Sequence, residues 1–439
     1  MFLKPEVEKK WAKLLDHKGL PGIKDSWRRA VTAVMLENQE MESRKAAGML
    51  TESVPGMSSG TGGFGSAGTA AAGNQGFDPI LIALVRRSMP NLVAYDICGV
   101  QPMNGPTGLI FAMRSRYTGQ ANTNPEAFYS EANSGFSAAG SAAGGTADPF
   151  SGGFSVVTGA NTAFGESLGV ANSSYGLDGT AIPQMAFSIE KVTATAVTRA
   201  LKAEYSVEIA QDLKAVHNLD AEAELANILS AEILAEINRE VVRTIGRVAA
   251  NGANTTSVAG TFDLDVDANG RWSVEKFKGL FFQIEREANA IAKNTRRGKG
   301  NIIITSSDVA SALVAAGLLD YTPAYNADLV VDDTGNTFAG MLQGRYKVFV
   351  DPYAPVAPTA DYFIVGYKGS SPYDAGLFYC PYVPLQMYRA VDPNSFVPKI
   401  GFKTRYATVG NPFATASSPG SLVTDTNLYY RKVKVTNLF

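Results

Sequence analysis

Asp220-Ala-Glu-Ala-Glu-Leu-Ala-Asn-Ile-Leu-Ser-Ala-Glu-Ile-Leu-Ala-Glu-Ile-Asn-Arg-Glu-Val-Val-Arg-Thr-Ile-Gly246 is the stretch on which the fold turns. Leu225, Ile228, Leu229, Ile233, Ile237, Val241 and Ile245 recur at spacings of one, three and four. On a helix of 3.6 residues per turn they form one apolar face. Asp220 is a residue type that caps helix N-termini, and Glu222 and Glu224 fall in the first turn, where the helix dipole favours anions. At 1.5 Å per residue the stretch spans roughly 38 Å, long enough to act as a spine for the molecule.

Outward from this spine the pattern is mixed. Upstream, Leu201, Tyr205, Ile209, Leu213 and Val216 sit at helical spacing and predict a helix over 199–217. Downstream, Phe277, Leu280, Phe281, Ile284, Ala288 and Ile291 predict another over 274–293, ended by Arg297-Gly298. Asn301-Ile-Ile-Ile-Thr305 reads as a buried strand, and Ser306-Ser-Asp308 as a cap for the helix after it. Short strands are expected at 345–350, 361–366 and 377–387. Tyr429-Tyr-Arg-Lys-Val-Lys-Val435 closes the chain with basic and apolar residues alternating. Residues 107–117 read as a strand with Arg114 and Arg116 on one face, and 79–88 as an apolar helix. The fold class is α+β.

The two flanking regions differ from this body. Residues 1–50 carry ten Lys/Arg and seven Asp/Glu, and Trp11, Leu14 and Leu15, then Trp27, Val31, Val34 and Met35, mark two helices separated by Gly19-Leu-Pro-Gly22. A hairpin of this size cannot hold a core by itself. Residues 53–76 contain eight Gly and read as a linker or extended arm, so that 1–50 has the plan of a removable pro-segment or of an N-terminal interaction domain that stays attached. Residues 118–187 contain 12 Gly, and no Lys or Arg lies between Arg116 and Lys191. Its acids are Glu126, Glu131, Asp148, Glu166 and Asp178. A stretch this long without regular pattern is commonly functional, and it is read as a projecting loop that reaches a neighbour.

Several function classes lack their residues. The net charge is −2, with no basic excess of the kind a nucleic-acid binder shows. Arg296, Arg297 and Lys299 form the one dense basic cluster and follow a helix, where cations suit the C-terminus. Charged residues are 18% of the chain, below the usual quarter, which fits a protein that buries surface against copies of itself and equally a Gly-rich secreted protein. Cys98 and Cys380 are too few for a disulfide framework or a zinc site and read as buried thiols. There is no signal-peptide pattern and no apolar run of membrane-spanning length, so synthesis and assembly in a cytoplasm are expected.

Chemical motifs are weak as well. Gly60-Thr-Gly62-Gly-Phe-Gly65 and Gly63-Phe-Gly65-Ser-Ala-Gly68 match the dinucleotide fingerprint, but neither follows a strand. Asp265-Val-Asp267-Ala-Asn269-Gly270 begins like a calcium loop, yet loop position twelve is Lys276 and Glu275 falls one short of it. The histidines are His17 and His217, the first in the charged leader and the second beside Asn218 near a helix end. No catalytic, cofactor-binding or metal-ligating residue is nominated.

A resemblance sharpens the reading. Val85-Arg-Arg-Ser-Met-Pro-Asn-Leu-Val-Ala-Tyr-Asp-Ile-Cys-Gly-Val-Gln-Pro-Met-Asn-Gly-Pro-Thr-Gly108 is similar to the signature stretch of the major capsid proteins of T-even-type tailed bacteriophages. So are Leu201 through His217, Ala223 through Val242, and the blocks 277–301, 338–353 and 361–413, in the same order along the chain. The resemblance implies the Hong Kong 97-type phage capsid fold: a peripheral domain with a long spine helix, an axial domain, an extended loop and an N-terminal arm. The expected division is a charged helical propeptide at 1–52 and the N-terminal arm at 53–77. The peripheral domain takes 78–117, the Gly-rich extended loop or insertion 118–187, and the peripheral domain with the spine helix 188–269. The axial domain occupies 270–400, and 401–439 returns to the peripheral domain. The 118–187 region looks shorter and more Gly-rich than its counterpart in the family's best-known member, which leaves open a folded insertion there.

The resemblance also implies partners and a processing site. The partners are further copies of the chain in hexameric capsomers, a capsid vertex protein, a scaffold core, a maturation protease and decoration proteins, with no membrane and no sequence-specific nucleic acid. The family's protease cuts after Glu in a Leu/Ile-x-Glu pattern. Leu50-Thr51-Glu52 fits at the leader–arm junction and predicts cleavage before Ser53. Leu234-Ala235-Glu236 fits too, but inside the spine helix. The acidic 118–187 region is expected to dock on a neighbour's basic surface near Arg296 and Arg297. The rival readings are the paralogous pentamer-forming vertex protein and, from another class, a soluble enzyme with a Gly-rich lid.

Overall fold

The computed structural model describes residues 5–16, 23, 25–52, 92–121, 124–128, 132, 136–137, 150, 162, 183–254, 256–268, 270–321, 338–355, 361–392, 397–412 and 422–438. The expectations for 53–77, for the helix at 79–88, for the Gly-rich motifs, for His17 and for most of 118–187 lie outside them. In chain order the helices are α1 (Pro5–Leu15), α2 (Ser26–Glu52), α3 (Ala94–Ile97), α4 (Val207–His217), α5 (Ala221–Val248), α6 (Ser273–Thr295) and α7 (Ser307–Ala315). The strands begin with β1 (Gly99–Val100), β2 (Thr107–Tyr117), β3 (Met185–Thr195), β4 (Val197–Glu204), β5 (Ala249–Asn251), β6 (Thr261–Asp263) and β7 (Ile302–Ser306). They continue with β8 (Leu319–Tyr321), β9 (Phe338–Leu342), β10 (Tyr346–Asp351), β11 (Tyr362–Gly366), β12 (Leu377–Val391), β13 (Pro398–Gly410) and β14 (Asn427–Thr436). The architecture is α+β.

The chain divides into two compact units, one of 1–109 with 193–439 and one of 110–192. The first unit holds two mixed sheets. One has four strands in the order β1-β12-β13-β4, with β1 parallel to β12 and the other pairs antiparallel. The other has the path β5-β14-β11-β7-β10-β9-β8, with β6 on β14. The second unit is built on the ribbon β2–β3.

The spine helix forms as its sequence dictates, and at 28 residues it is about 42 Å long. The Asp220 carboxylate accepts the Glu222 N–H at 3.1 Å, capping the first turn. Leu229, Ile233, Ile237, Val241 and Ile245 are buried as expected. The face is set differently at its N-terminal end. Ile228 is 61% exposed and Leu225 half-buried, while Ala226 and Leu234 turn inward. The apolar stripe therefore follows the i, i+4 row from Leu229, and Ile228, about 100° round from Leu229, falls outside it.

The helix expected over 199–217 is corrected. Residues 197–204 are strand β4, paired with β13 from Tyr406↔Val197 to Lys399↔Glu204. Leu201 and Tyr205 are four apart, and four is a multiple of the strand period of two as well as close to a helical turn, so their spacing does not separate the two states. Arg199, Leu201 and Ala203 alternate inward along the strand. The helix starts only at Val207, where the Ser206 hydroxyl accepts the Ile209 N–H at 3.2 Å.

Two smaller expectations change. Ser306 precedes α7, but its hydroxyl donates to Asp361 at 2.8 Å and makes no cap bond. Helix α6 ends at Thr295, with Arg296 in the left-handed region at φ 53°, just before the expected Arg297-Gly298 stop. Along β14 the alternation holds for Val433 and Val435, which are buried, against Lys432 and Lys434. Arg431, however, points into the core, where its Nε donates to Glu287 at 2.5 Å.

Candidate assembly and processing site

The leader helices join the main core. Trp11, Leu15, Val31, Met35 and Leu36 are buried, whereas Leu14 is partly exposed and Val34 half-buried. Each fully buried large apolar side chain contributes roughly 1.5–3 kcal/mol. The hairpin is clamped across its two helices: Trp11 Nε1 donates to Glu37 at 3.0 Å, Lys10 pairs with Glu37 and Glu40, and Arg29 with Asp16 at 2.9 Å.

Helix α2 then seats on the four-stranded sheet. The Asn38 amide, 2% exposed, donates to the main-chain carbonyls of Met103 at 2.7 Å and Tyr382 at 2.8 Å. Tyr382 donates its hydroxyl to Glu42 at 2.8 Å, and Arg28 pairs with Asp96 at 2.6 Å. The opposite face of the sheet meets the spine. Arg199 on β4 bonds Glu236 at 2.7 Å and Glu240 at 2.5 Å, and Tyr406 on β13 donates to Glu240. The sheet is thus held between the leader helix and the spine helix. Sequence reading found the leader's apolar positions but not Asn38, because nothing local marks a polar residue whose partners are 65 and 344 positions away.

Leu50, Thr51 and Glu52 form the C-terminal end of α2, and Ser53 lies outside the described residues. The last four carbonyls of a helix have no intrahelical partner, so its final turn opens more readily than its middle. Leu234-Ala235-Glu236 is placed oppositely, in mid-spine with Leu234 buried.

In the second unit, one face of the ribbon is an ion-pair network. Arg114 and Arg116 do share a face: Arg114 pairs with Glu126 at 3.3 Å and Glu190 at 3.2 Å, and Arg116 with Glu190 at 3.2 Å. Arg116 also donates to Ser188 at 2.9 Å and to the Asn124 carbonyl at 2.9 Å. The other face carries Phe111, Met113, Met185, Phe187 and Ile189, all exposed. The alternation at 185–195 was present in the sequence but was absorbed into the edge of the Gly-rich region. A further apolar surface lies on α4, where no side chain is buried and Val207, Ile209 and Val216 are exposed.

The remaining chemical candidates have structural partners. Asp265 pairs with Lys276, Asp267 accepts the N–H groups of Ser257 at 3.1 Å and Asp263 at 3.0 Å, and Glu275 accepts the Arg271 N–H at 3.0 Å at the start of α6. Burial pushes both the Cys98 and the Cys380 thiol up to about 12, which removes the thiolate needed for nucleophilic attack at neutral pH. His217 is the exposed last residue of α4. Lys299 of the basic cluster is paired with Glu285, and Arg296 donates to the Lys293 carbonyl at 3.1 Å. A cleft of 390 Å³ beside the spine is lined by the cations Arg239, Arg243, Lys432 and Lys434, by Asn251, Asp351 and Tyr362, and by apolar residues. In it Arg239 pairs with Asp351, and the Tyr362 hydroxyl donates to the same carboxylate. Among the described residues, no helix is long and apolar enough to cross a membrane.

Comparison with known proteins agrees with a structural role. The model of the family described as major capsid protein Gp23 matches residues 74–435. The major capsid protein of Enterobacteria phage T4 is 36% identical over 524 aligned positions, covering 99% of both chains. That alignment is longer than the 439 residues here, so the relative carries residues this chain lacks. The major capsid protein of Serratia phage KSP90 is 40% identical, over 83% of this chain and 86% of that one. The T4 capsid vertex protein is 27% identical over 52% of this chain and 54% of its own. Among solved structures, the capsid of phage XM1 aligns with 78% of this chain and 92% of its own at 9% identity, with a TM-score of 0.39.

Proposed function

Since the chain belongs to the Gp23 major capsid protein family, we propose that its copies close into hexameric capsomers of an icosahedral phage head that encloses the genome, from a precursor trimmed at its N-terminus. The chain is a major capsid protein and a structural component of a phage virion. The observation that carries the hexameric role is the likeness to major capsid proteins along the whole chain, against a likeness to the vertex protein over half of it. Ring closure needs heterologous contacts, in which two different surfaces of one chain meet on successive copies. Many modest contacts then add up to a stable shell.

In this reading the fold is of the Hong Kong 97 type, with α5 as the spine, 270–400 as the axial domain, and 78–117, 188–269 and 401–439 as the peripheral domain. Residues 53–77 form the arm and 118–187 the extended loop. The vertex protein occupies fivefold positions, a scaffold core organises the precursor, decoration proteins bind the finished shell, and assembly takes place in the bacterial host cytoplasm. Residues 1–52 are the propeptide. The maturation protease cuts between Glu52 and Ser53, and this cleavage is an irreversible switch. The terminal position of Leu50-Thr51-Glu52 on α2 supports that site over Leu234-Ala235-Glu236.

Two measurements test the reading. Electron microscopy of the expressed protein is expected to show sixfold rings; fivefold rings only would assign the vertex role instead. Intact-mass analysis of subunits from mature heads is expected to show a chain beginning at Ser53, and a full-length subunit there would overturn the cleavage.

A further inference from the structure

We infer that the cleft between the spine helix α5 and the β11–β14 pair binds a phosphate monoester with an apolar body, the chemistry of a nucleoside monophosphate. Such a site goes beyond shell building and does not rest on it. Two sequence periods build it. On β14 a period of two puts Lys432 and Lys434 on one face, and the pairings Ile364↔Lys432 and Tyr362↔Lys434 bring two β11 side chains to the same face. On α5 Arg239 and Arg243 are four apart and share one side of the helix. The four cations meet around a volume of 390 Å³, within the range of small-molecule sites, and Val242 and Ile364 supply an apolar wall.

Half of that positive charge is uncompensated. Arg239 holds both oxygens of Asp351, at 2.7 and 2.6 Å, and Lys432 pairs with Asp425 at 2.5 Å. Arg243 and Lys434 are exposed, and among the described residues their side chains make no bond. Glu240, one turn back from Arg243 on the same helix, is taken by Arg199 and Tyr406. Like charges gathered in one place repel and work against the fold, and a cleft lined by one sign of charge concentrates the opposite ion.

The charge selects the anion. Two free cations match a phosphate monoester, which carries about −1.5 to −2 at neutral pH. A carboxylate or a phosphodiester carries a single charge and leaves one cation unmet. The arginine fork suits two phosphate oxygens, and the lysine adds a point charge. A phosphate ion alone is too small to fill the cleft, and a nucleoside body takes the remaining space against Val242 and Ile364. Gly246 keeps that space open: a side chain begun there would stand 3.7 Å from Ile364.

The test is calorimetric titration of the full chain with AMP, inorganic phosphate and adenosine at matched ionic strength. AMP is expected to bind, phosphate to bind more weakly, and adenosine to give no heat. Arg243→Gln combined with Lys434→Gln is expected to weaken AMP about tenfold or more, since hydrogen bonds from charged groups carry the binding. Both side chains are exposed, so the ligand-free double variant is expected to melt at or above the wild-type temperature as repulsion in the cleft falls. Gly246→Leu leaves every charge in place and fills the apolar side; it is expected to weaken AMP and spare phosphate. Phosphate binding as tightly as AMP overturns the nucleotide assignment in favour of the free ion. Absence of AMP binding to wild type, or binding that the double variant leaves unchanged, overturns the site. So does a single-stranded oligonucleotide without a terminal phosphate that binds as tightly as AMP, which would assign the cleft to phosphodiesters. Each of these outcomes leaves the capsid reading, tested by imaging of rings, as it stands.

Discussion

Glu287 shows what one buried charge requires. Its carboxylate accepts the Ala253 N–H at 2.8 Å, the Gln283 amide at 2.7 Å and the Arg431 guanidinium at 2.5 Å, and it ties α6 to β14. Both charged residues are under 10% exposed. Removing one partner of such a pair strands the other, so Arg431→Met is expected to cost about 3–5 kcal/mol in denaturant unfolding. Replacing Glu287 and Arg431 together with apolar residues is expected to recover much of that loss. Glu285, on the same helix, gives a pH signature. Burial works to raise its pKa, but hydrogen bonds from Lys299 and the Tyr346 hydroxyl outweigh burial and hold it below the usual value. A depressed folded-state value means the stabilisation is present above the unfolded glutamate pKa, about 4.3, and is lost as pH falls through the lower folded value. The melting temperatures of wild type and Lys299→Met are therefore expected to differ most near neutral pH and to converge in acid.

At the scale of elements, helical and strand periods decide what a sequence shows. The spine was legible because seven apolar positions, a cap and first-turn acids agree over 28 residues. Its exact buried row was not, since Ile228 and Leu234 are equally apolar and only the packed sheets choose between them. Ile237→Ala is expected to destabilise by about 2–5 kcal/mol in a denaturant titration, and Ile228→Ala by less than about 0.5 kcal/mol. β4 was misread for a related reason, because a four-residue spacing serves both periods and the deciding fact is its pairing with β13. In the leader, Leu50, Thr51 and Glu52 stood out as a motif, but their position as the last residues of a 27-residue helix came only from the structure.

At the scale of the whole molecule, the leader is an inserted wall of the core rather than a tethered tag. Among the described residues, the contacts that seat it, including those of Arg28, Asn38 and Glu42, lie before Glu52 and are non-covalent. A cut after Glu52 is therefore expected to leave the leader bound, and size-exclusion chromatography of the cut protein should show leader and body co-eluting. Asn38→Ala, which orphans two buried carbonyls at about 1–3 kcal/mol, is expected to lower the denaturant concentration at which the leader comes off. By itself the sequence determined the α+β class, the spine, the charged N-terminal helices and the family, because each is written in local period, composition or contiguous blocks of residues. Only the tertiary structure decided which face of the spine is buried and that Asn38 bridges Met103 to Tyr382. It also decided that Arg431 is a core residue and that the ribbon's apolar side faces outward. Those facts depend on residues far apart in the chain, and side-chain burial and pairing across such distances leave no periodic trace along it.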